Sequence, residues 1–106
     1  MSVTTPFEVF AKTFPDVVES YRRMKKTYGE AGPLDEQTKQ LIQVAIMIAI
    51  GSESGTRDHV GFALDAGAGA DEIRQAVLMA LGPAGMSATS IGLKWANEVI
   101  DEKTQS

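Results

Sequence analysis

His59 is the only histidine of the chain, and an imidazole suits proton transfer because it titrates near neutral pH. Ser52, Thr56 and His59 are spaced by four and three residues, so a helix over this segment places them on one face. Backbone N–H groups at a helix start favour an anion, and a carboxylate or enolate held there would lie beside the imidazole. The spacing therefore predicts an acid/base site. The alternative is a histidine that is only hydrogen-bonded within a packed helix.

Glu36 and Gln40 form a second polar pair, one helical turn apart and ahead of a strongly apolar segment. We expect both side chains to point at the start of the helix that carries His59. Gln40 is suited to orienting a ligand, although an amide neither donates nor takes a proton at neutral pH. The alternative is two exposed polar residues near a helix start. Arg57 and Asp58 are interpreted as solvated or interface residues, although Arg57 is also able to pair with a substrate carboxylate.

The composition excludes several other chemistries. The chain has no cysteine, which rules out disulfides, thiolate metal sites and thiol-based peroxidase chemistry within it. With one histidine and no carboxylate cluster at ligand spacing, we expect no metal and no other cofactor. The Gly82-Pro83-Ala84-Gly85 segment lacks the preceding strand of a phosphate-binding loop, so it is interpreted as a connection between helices.

Charge and hydropathy bear on partners and location. The formal net charge of −4 argues against nucleic acid or an anionic membrane surface as a partner. The one basic cluster (Arg22, Arg23, Lys25 and Lys26) is interpreted as a solvated helix face. The first residues lack the basic and apolar regions of a signal peptide, and the longest apolar stretch, residues 44–50, is too short to span a bilayer. We expect a cytoplasmic protein with a single domain over residues 1–106.

Helix signals dominate the chain, and strand signals are absent. Thr5-Pro6 and Phe14-Pro15 open two short helices, over residues 6–12 and from Pro15 to about Tyr28. Asp35 is a good N-cap for a third helix to about residue 50. A serine after Gly51 caps a fourth, which ends at Gly67. A fifth begins near residues 69–72 with a buried stripe of Ile73, Val77 and Leu81, and the last begins at Gly82-Pro83.

The second half of the third helix, residues 41–50, is apolar nearly all the way round. A helix that is hydrophobic on every side must be buried on every side, and so short a chain cannot easily surround one of its own helices. Part of this surface is therefore predicted to face another subunit. A buried β-strand is the competing interpretation, but the length of the segment and its lack of turn residues favour a helix.

Residues 34–42 read LDEQTKQLI, and an alanine- and isoleucine-rich run, a glycine and a histidine follow. Residues 63–76 then read ALDAGAGADEIRQA. The order and spacing resemble the carboxymuconolactone decarboxylase / alkyl hydroperoxidase D-like superfamily, with its LDxKTKELI and ALxAGATxEEI segments. The resemblance covers residues 34–85 most strongly. It implies an all-α bundle of about six helices, in which the third and fourth form a central antiparallel pair, assembled as a homotrimer or homohexamer.

The departures from the superfamily pattern affect the expected reaction. Peroxidase-type members place Cys-x-x-Cys-x-x-x-His here, with a glutamate twelve residues before the first cysteine. The cysteine positions are Ser52 and Gly55 in this chain, and the glutamate position is Gln40. Of that constellation only His59 remains. A serine hydroxyl cannot form sulfenate and disulfide intermediates, so alkyl hydroperoxidase activity is rejected.

The decarboxylase branch does not depend on a cysteine pair. The resemblance implies a lyase acting on a small cyclic or lactone carboxylate, with His59 as general acid/base. We assign Gln40 and Ser52 to the catalytic group with it, and Glu36, Gly55 and Thr56 to substrate binding. Three glycines lie around the proposed site, Gly51, Gly55 and Gly61. They either leave room for a ligand or permit close helix packing. The alternative function is a homologue without activity that binds a small molecule or another protein.

Overall fold

A computed structural model describes residues 4–104 of the chain, and within that range all regular structure is helical. The all-α prediction is confirmed. No helix in the described range is both long enough and apolar enough to cross a membrane. The helices are α1 (Pro6–Thr13), α2 (Pro15–Gly29), α3 (Glu36–Ala49), α4 (Glu53–Asp65), α5 (Ala70–Leu78) and α6 (Leu81–Thr104).

Side-chain caps fix three of the helix starts. Thr5 forms a capping box with Glu8 at the start of α1. Asp35 accepts a hydrogen bond from the Thr38 N–H at 2.8 Å, which confirms it as the N-cap of α3. The serine that caps α4 is Ser52. Each cap accepts a hydrogen bond from a backbone N–H of the first turn and so fixes where its helix begins.

The chain forms two compact units, one up to Pro33 and one from Leu34 onwards. In the first unit, α1 packs on α2, and the rings of Phe10 and Phe14 lie 5.5 Å apart. A row of side chains spaced by three and four residues along α2, beginning at the preceding residue Phe14, is about half exposed. This row consists of Phe14, Val17, Tyr21, Met24 and Tyr28.

The second unit is built around α3, which contacts α4, α5 and α6. Val44 and Ile48 of α3 are fully buried in its core. A Cβ on Gly92 of α6 would lie 2.6 Å from the Ile48 side chain, so this glycine allows α6 to approach α3 closely. The remaining core side chains come from the other three helices: Val60, Ala63, Ala68, Ile73, Ala76, Val77, Ala80, Ala96, Val99 and Ile100.

One face of α3 is not covered by the other helices of its own unit. Ile42 and Ile46 are each 43% exposed and Ile50 is 69% exposed, although Val44 and Ile48 on the same helix are buried. The segment is thus apolar all round but buried on only part of its circumference. This is the situation from which the sequence predicts contact with another subunit, and that contact remains a prediction.

The region between α4 and α6 differs in one respect from expectation. Gly67 has φ of +96°, which confirms it as the glycine that ends α4. The predicted α5 stripe is right for Ile73 and Val77 but wrong for Leu81, because α5 ends at Leu78 and Leu81 begins the next helix. Gly85, with φ of +88° and ψ of 170°, then breaks α6 after its first turn.

Candidate functional site

Three predicted site residues, Glu36, Gln40 and His59, are joined by one hydrogen bond within α3 and one between α3 and α4. The Nδ1 of His59 lies 2.7 Å from the Oε1 of Gln40. The Nε2 of Gln40 donates to the Oε1 of Glu36 at 2.8 Å. The prediction that Glu36 and Gln40 share one face of α3 is confirmed. We refer to these residues as the Glu36–Gln40–His59 triad.

The hydrogen-bonding partners of Gln40 determine the tautomer of His59. An ionised carboxylate only accepts hydrogen bonds, so the amide nitrogen of Gln40 faces Glu36 and its oxygen faces the imidazole. An amide oxygen also only accepts, so Nδ1 of His59 carries a proton. In the neutral imidazole the basic lone pair is therefore on Nε2. Gln40 transfers no proton itself, but it confines proton exchange on His59 to one nitrogen.

Charges around Glu36 keep this arrangement intact. The hydrogen bond from Gln40, followed by that from Lys39, lowers the pKa of the Glu36 carboxyl below its usual value. The Nζ of Lys39 lies 3.4 Å from the Oε2 of Glu36. Glu36 is therefore ionised at neutral pH and remains a hydrogen-bond acceptor for Gln40.

The ring of His59 is also held from within its own helix. The ring of Phe62, one turn further along α4, meets the imidazole edge-on with centroids 5.6 Å apart. His59 itself is half-buried. The ring is thus positioned by an apolar contact as well as by the amide of Gln40, while part of the residue remains accessible to solvent.

Ser52, Gly55 and Thr56 form a second cluster at the start of α4. The Oγ of Ser52 accepts from the Gly55 N–H at 3.0 Å, and the Thr56 hydroxyl donates to the Ser52 carbonyl at 2.7 Å. Thr56 is fully buried. These bonds build the helix start, while catalysis by Ser52 and substrate binding by Gly55 and Thr56 remain predictions.

Gly55 is a point of close packing between α3 and α4. A Cβ built there would lie 2.3 Å from the Sδ of Met47 and 2.7 Å from the Oγ of Ser52. Of the two roles considered for this glycine, space for a ligand and close helix packing, the contact with Met47 supports packing. A thioether is flexible, so the same space opens only if Met47 moves.

His59 lies nearly two turns into α4. Glu53 is the first residue of that helix, so at 1.5 Å per residue His59 is roughly 9 Å further along the axis. The field of a helix end falls off within its first turn. The expectation that a carboxylate or enolate held by the helix-start N–H groups lies beside the imidazole stays a prediction, and it requires a ligand that spans this distance.

Arg57 is engaged in ion pairs that join α4 to α6. Its guanidinium contacts Glu53 at 3.0 Å and also binds Glu98, which pairs in turn with Lys94 at 2.9 Å. The hydrogen bonds that the guanidinium donates to Glu98 and then to Glu53 raise the pKa of Arg57. Both partners are carboxylates of this chain, which favours an ion-pairing role for Arg57 over a substrate contact.

An apolar groove lies on the other side of α3, between α3 and α5. Its volume is about 450 Å³, and none of the predicted site residues lines it. Ile42, Ile46 and Met79 are its most exposed apolar side chains. We call it the α3–α5 groove; it is also lined by Thr38, Leu41, Ala45, Glu72, Gln75 and Ala76. It is therefore a second surface feature, separate from the triad.

Sequence reasoning found the members of the triad but missed the residues that support them. Phe62 lies three residues after His59, and this spacing was a usable signal for a contact on one helix face. Met47 had no such signal, because its contact with Gly55 depends on how α3 and α4 pack. Across residues 4–104, no three histidine, cysteine, aspartate or glutamate side chains are grouped as a metal site.

Comparison with known proteins gives one match. The sequence model of the carboxymuconolactone decarboxylase family matches residues 15–98, which is most of the chain and includes the whole triad. No curated protein matches the chain, and no solved structure does. The match extends beyond residues 34–85, where the sequence resemblance is strongest.

Proposed function

The chain belongs to the carboxymuconolactone decarboxylase family, and from this premise we propose that it is a cofactor-independent lyase acting on a small cyclic or lactone carboxylate. His59 is the general acid/base. The observation that carries the proposal is the 2.7 Å contact between His59 Nδ1 and Gln40 Oε1. This contact holds the imidazole in the tautomer that a directed proton transfer through Nε2 requires.

The proposed reaction has two steps. The bond between the ring carbon and the substrate carboxylate breaks, CO₂ leaves, and the bonding electron pair delocalises into the lactone as a dienolate. The imidazolium of His59 then gives the proton on Nε2 to carbon, and water returns a proton to Nε2. The reaction consumes one proton and needs no oxidant, which agrees with a chain that contains no cysteine.

Gln40 supports both protonation states of His59. Its Oε1 accepts from the Nδ1–H of the neutral imidazole and from the Nδ1–H of the imidazolium, so the amide need not rotate during the cycle. A glutamate at this position would favour the charged imidazole more strongly. We therefore assign Gln40 as a positioning residue, and Glu36 fixes its amide through the 2.8 Å bond.

The proposal is tested by a thermal-shift screen of small lactones, cyclic carboxylates and quinones on the wild type and on His59→Gln. We expect one compound class, the lactones or cyclic carboxylates, to stabilise the wild type. The stabilisation disappears in His59→Gln, because glutamine keeps the polarity but cannot carry the proton or charge of an imidazole. Thr104→Ala serves as control, since that α6 threonine bonds only its own helix in the structure.

Two results would count against the proposal. Stabilisation that survives His59→Gln unchanged would mean that the ligand site lies away from the triad. A screen with no stabilising compound would favour the alternative, a homologue without activity that binds another protein.

A further inference from the structure

Phe62 lies beside His59 along the line of contact between α3 and α4. The two helices run antiparallel, since His59 contacts Gln40 whereas Ala66, further along α4, accepts a hydrogen bond from Gln37 at 3.4 Å. Phe62 falls between His59 and Ala66 on α4. It therefore lies at the height of the stretch of α3 that carries the polar residues of the triad.

This line of contact has a buried side and an open side. Val60 and Ala63 of α4 are fully buried in the core, whereas Phe62 is 50% exposed and His59 is half-buried. The other helices of this unit thus leave part of the phenyl ring uncovered next to the imidazole. A single exposed phenylalanine is common on protein surfaces. The informative feature is that this one touches the proposed general acid/base.

The phenyl ring of Phe62 is nearly perpendicular to the imidazole ring of His59. The two planes meet at 86°, and the ring centroids lie 5.6 Å apart. Because the angle is close to a right angle, the direction perpendicular to the phenyl ring lies within the imidazole plane. A flat ring stacked on the phenyl is parallel to it. Such a ring is therefore also perpendicular to the imidazole.

Proton transfer from His59 to a dienolate requires this relation between the two rings. The N–H bond at Nε2 lies in the imidazole plane, whereas a dienolate carbon accepts a proton along its π orbital, perpendicular to its own ring. The two directions coincide only if the substrate ring is perpendicular to the imidazole plane. A ring that lies flat on Phe62 meets this condition, and the 2.7 Å contact of Gln40 with Nδ1 holds the imidazole in place.

We propose that Phe62 is a specificity-determining residue, on whose phenyl face the substrate ring stacks, and that the site therefore prefers a flat, unsaturated ring to a saturated one. This inference rests on the proposed function and names the kind of ring that the lyase accepts. A saturated ring is puckered and carries hydrogens on both faces, so its atoms do not lie flat against the phenyl. It also lacks the double bond into which the electron pair delocalises when CO₂ leaves.

The preference is tested with two cyclic carboxylates that do not readily lose CO₂: furoate, which is flat, and tetrahydrofuroate, its saturated and puckered counterpart. NMR titration follows the imidazole signals of His59, which belong to the only histidine of the chain. We expect the wild type to bind furoate about 2–10-fold more tightly, the effect of one aromatic stacking contact. Phe62→Leu should lose this preference, because leucine is apolar but has no flat face. Phe62→Tyr should keep it.

A matched control separates this role from a general loss of apolar surface. Ile91→Ala removes a side chain of α6 that is also 50% exposed, and it should leave both affinities unchanged. The masses of the wild type and of Phe62→Leu are compared by light scattering coupled to gel filtration, and they should agree. A lower mass for Phe62→Leu would place the phenyl in a contact between subunits and would overturn the proposal.

The outcomes distinguish this proposal from the proposed function. Equal affinities of the wild type for the two acids, or a preference that Phe62→Leu retains, would overturn the role of Phe62. The lyase would still stand if the wild type releases CO₂ from a lactone carboxylate and His59→Gln does not. A wild type that binds neither acid and releases no CO₂ would overturn both proposals.

Discussion

Gln40 lies between an ionised carboxylate and the only histidine of the chain. Because Glu36 fixes the direction of the amide, the amide in turn fixes the proton on His59 Nδ1. The peroxidase-type pattern that the sequence resembles has a glutamate in this position. The amide of Gln40 still orients the imidazole of His59, and the negative charge lies on Glu36, one hydrogen bond further from the ring.

This arrangement predicts how the pKa of His59 responds to exchanging the two side chains. The double variant Glu36→Gln/Gln40→Glu keeps the net charge but places a carboxylate against the imidazole. We expect the pKa of His59 to rise, because a nearby negative charge favours the imidazolium. A histidine titration by NMR measures the pKa of His59. Glu36→Gln alone is the control, and the pKa of His59 should not rise in this variant. An unchanged pKa in the double variant would mean that the residue at position 40 does not contact His59 in solution.

Two buried threonines provide a second prediction about single residues. The hydroxyl of Thr89 on α6 is buried and has no hydrogen-bond partner among the described residues, whereas that of Thr56 bonds the Ser52 carbonyl at 2.7 Å. We expect Thr89→Val to increase the free energy of unfolding by about 1 kcal/mol, because it removes an unpaired polar group without changing the shape. Thr56→Val should decrease it by about 1 kcal/mol. Urea unfolding measures both, and equal effects would refute this interpretation of Thr89.

At the scale of the elements, the break in α6 decides how the last helix packs. Gly85 adopts φ of +88° and ψ of 170°, a conformation open essentially to glycine alone. The chain that follows places Gly92 against Ile48 of α3, where a side chain would clash. The direction of α6 after its first turn is therefore set by one backbone position, and the close approach of the two helices depends on it.

The break predicts different effects for two glycines of the same helix. Gly85→Ala should lower the free energy of unfolding by about 1–3 kcal/mol, although nothing lies within 4 Å of the added Cβ, because the cost is in the backbone. Gly82→Ala should lower it by less, because Gly82 has no positive φ and its added Cβ is opposed only by the neighbouring Pro83, which disfavours a side chain on the helical residue before it. Thermal unfolding of both variants distinguishes them. A Gly85→Ala protein as stable as the wild type would contradict the break.

At the scale of the whole molecule, the carboxylates with lowered pKa connect stability to pH. A hydrogen bond from Thr38 lowers the pKa of Asp35, and one from Gln40 lowers the pKa of Glu36. Hydrogen bonds from Lys94 and Arg57 lower the pKa of Glu98. Each charged form is thus favoured by folding. The stabilisation is complete above the unfolded-state pKa of about 4 and is lost as the pH falls through the lower folded-state values.

We therefore expect the free energy of unfolding to decrease from pH 6 towards pH 3. In Glu98→Gln the decrease should be shallower, because one of the three groups no longer titrates, while Arg57 keeps Glu53 as a partner. Urea unfolding at a series of pH values measures the slope, with the exposed Glu102→Gln as control. A slope that is the same in Glu98→Gln and the wild type would show that this ion pair does not contribute.

Much of the fold follows from local signals in the sequence. The caps at Thr5, Asp35 and Ser52 and the glycine after α4 each depend on a few neighbouring residues, so their positions were predictable. The triad was predictable in membership because Glu36 and Gln40 share a face of α3 and His59 is the only histidine of the chain. Its hydrogen bonds were not, because they depend on the relative rotation of α3 and α4, which no local pattern encodes.

The surfaces left uncovered were predictable in part. The all-round apolar character of α3 indicated that some of it would lack cover, and Ile42 and Ile46 are the residues concerned. The spacing of Val17, Tyr21 and Met24 indicated a helix face but not that this face would be exposed. Exposure depends on what the rest of the chain reaches, and that is a property of the tertiary structure.

The central claim is that His59 protonates the carbanion left by decarboxylation of a small cyclic or lactone carboxylate. Its most direct test is CO₂ release from a panel of such acids, including a carboxymuconolactone, by the wild type and by His59→Gln. We predict turnover of at least one compound and a loss of about 10²–10⁴-fold in kcat for the variant. Equal rates in the two proteins, or no CO₂ release from any compound by the wild type, would contradict the claim.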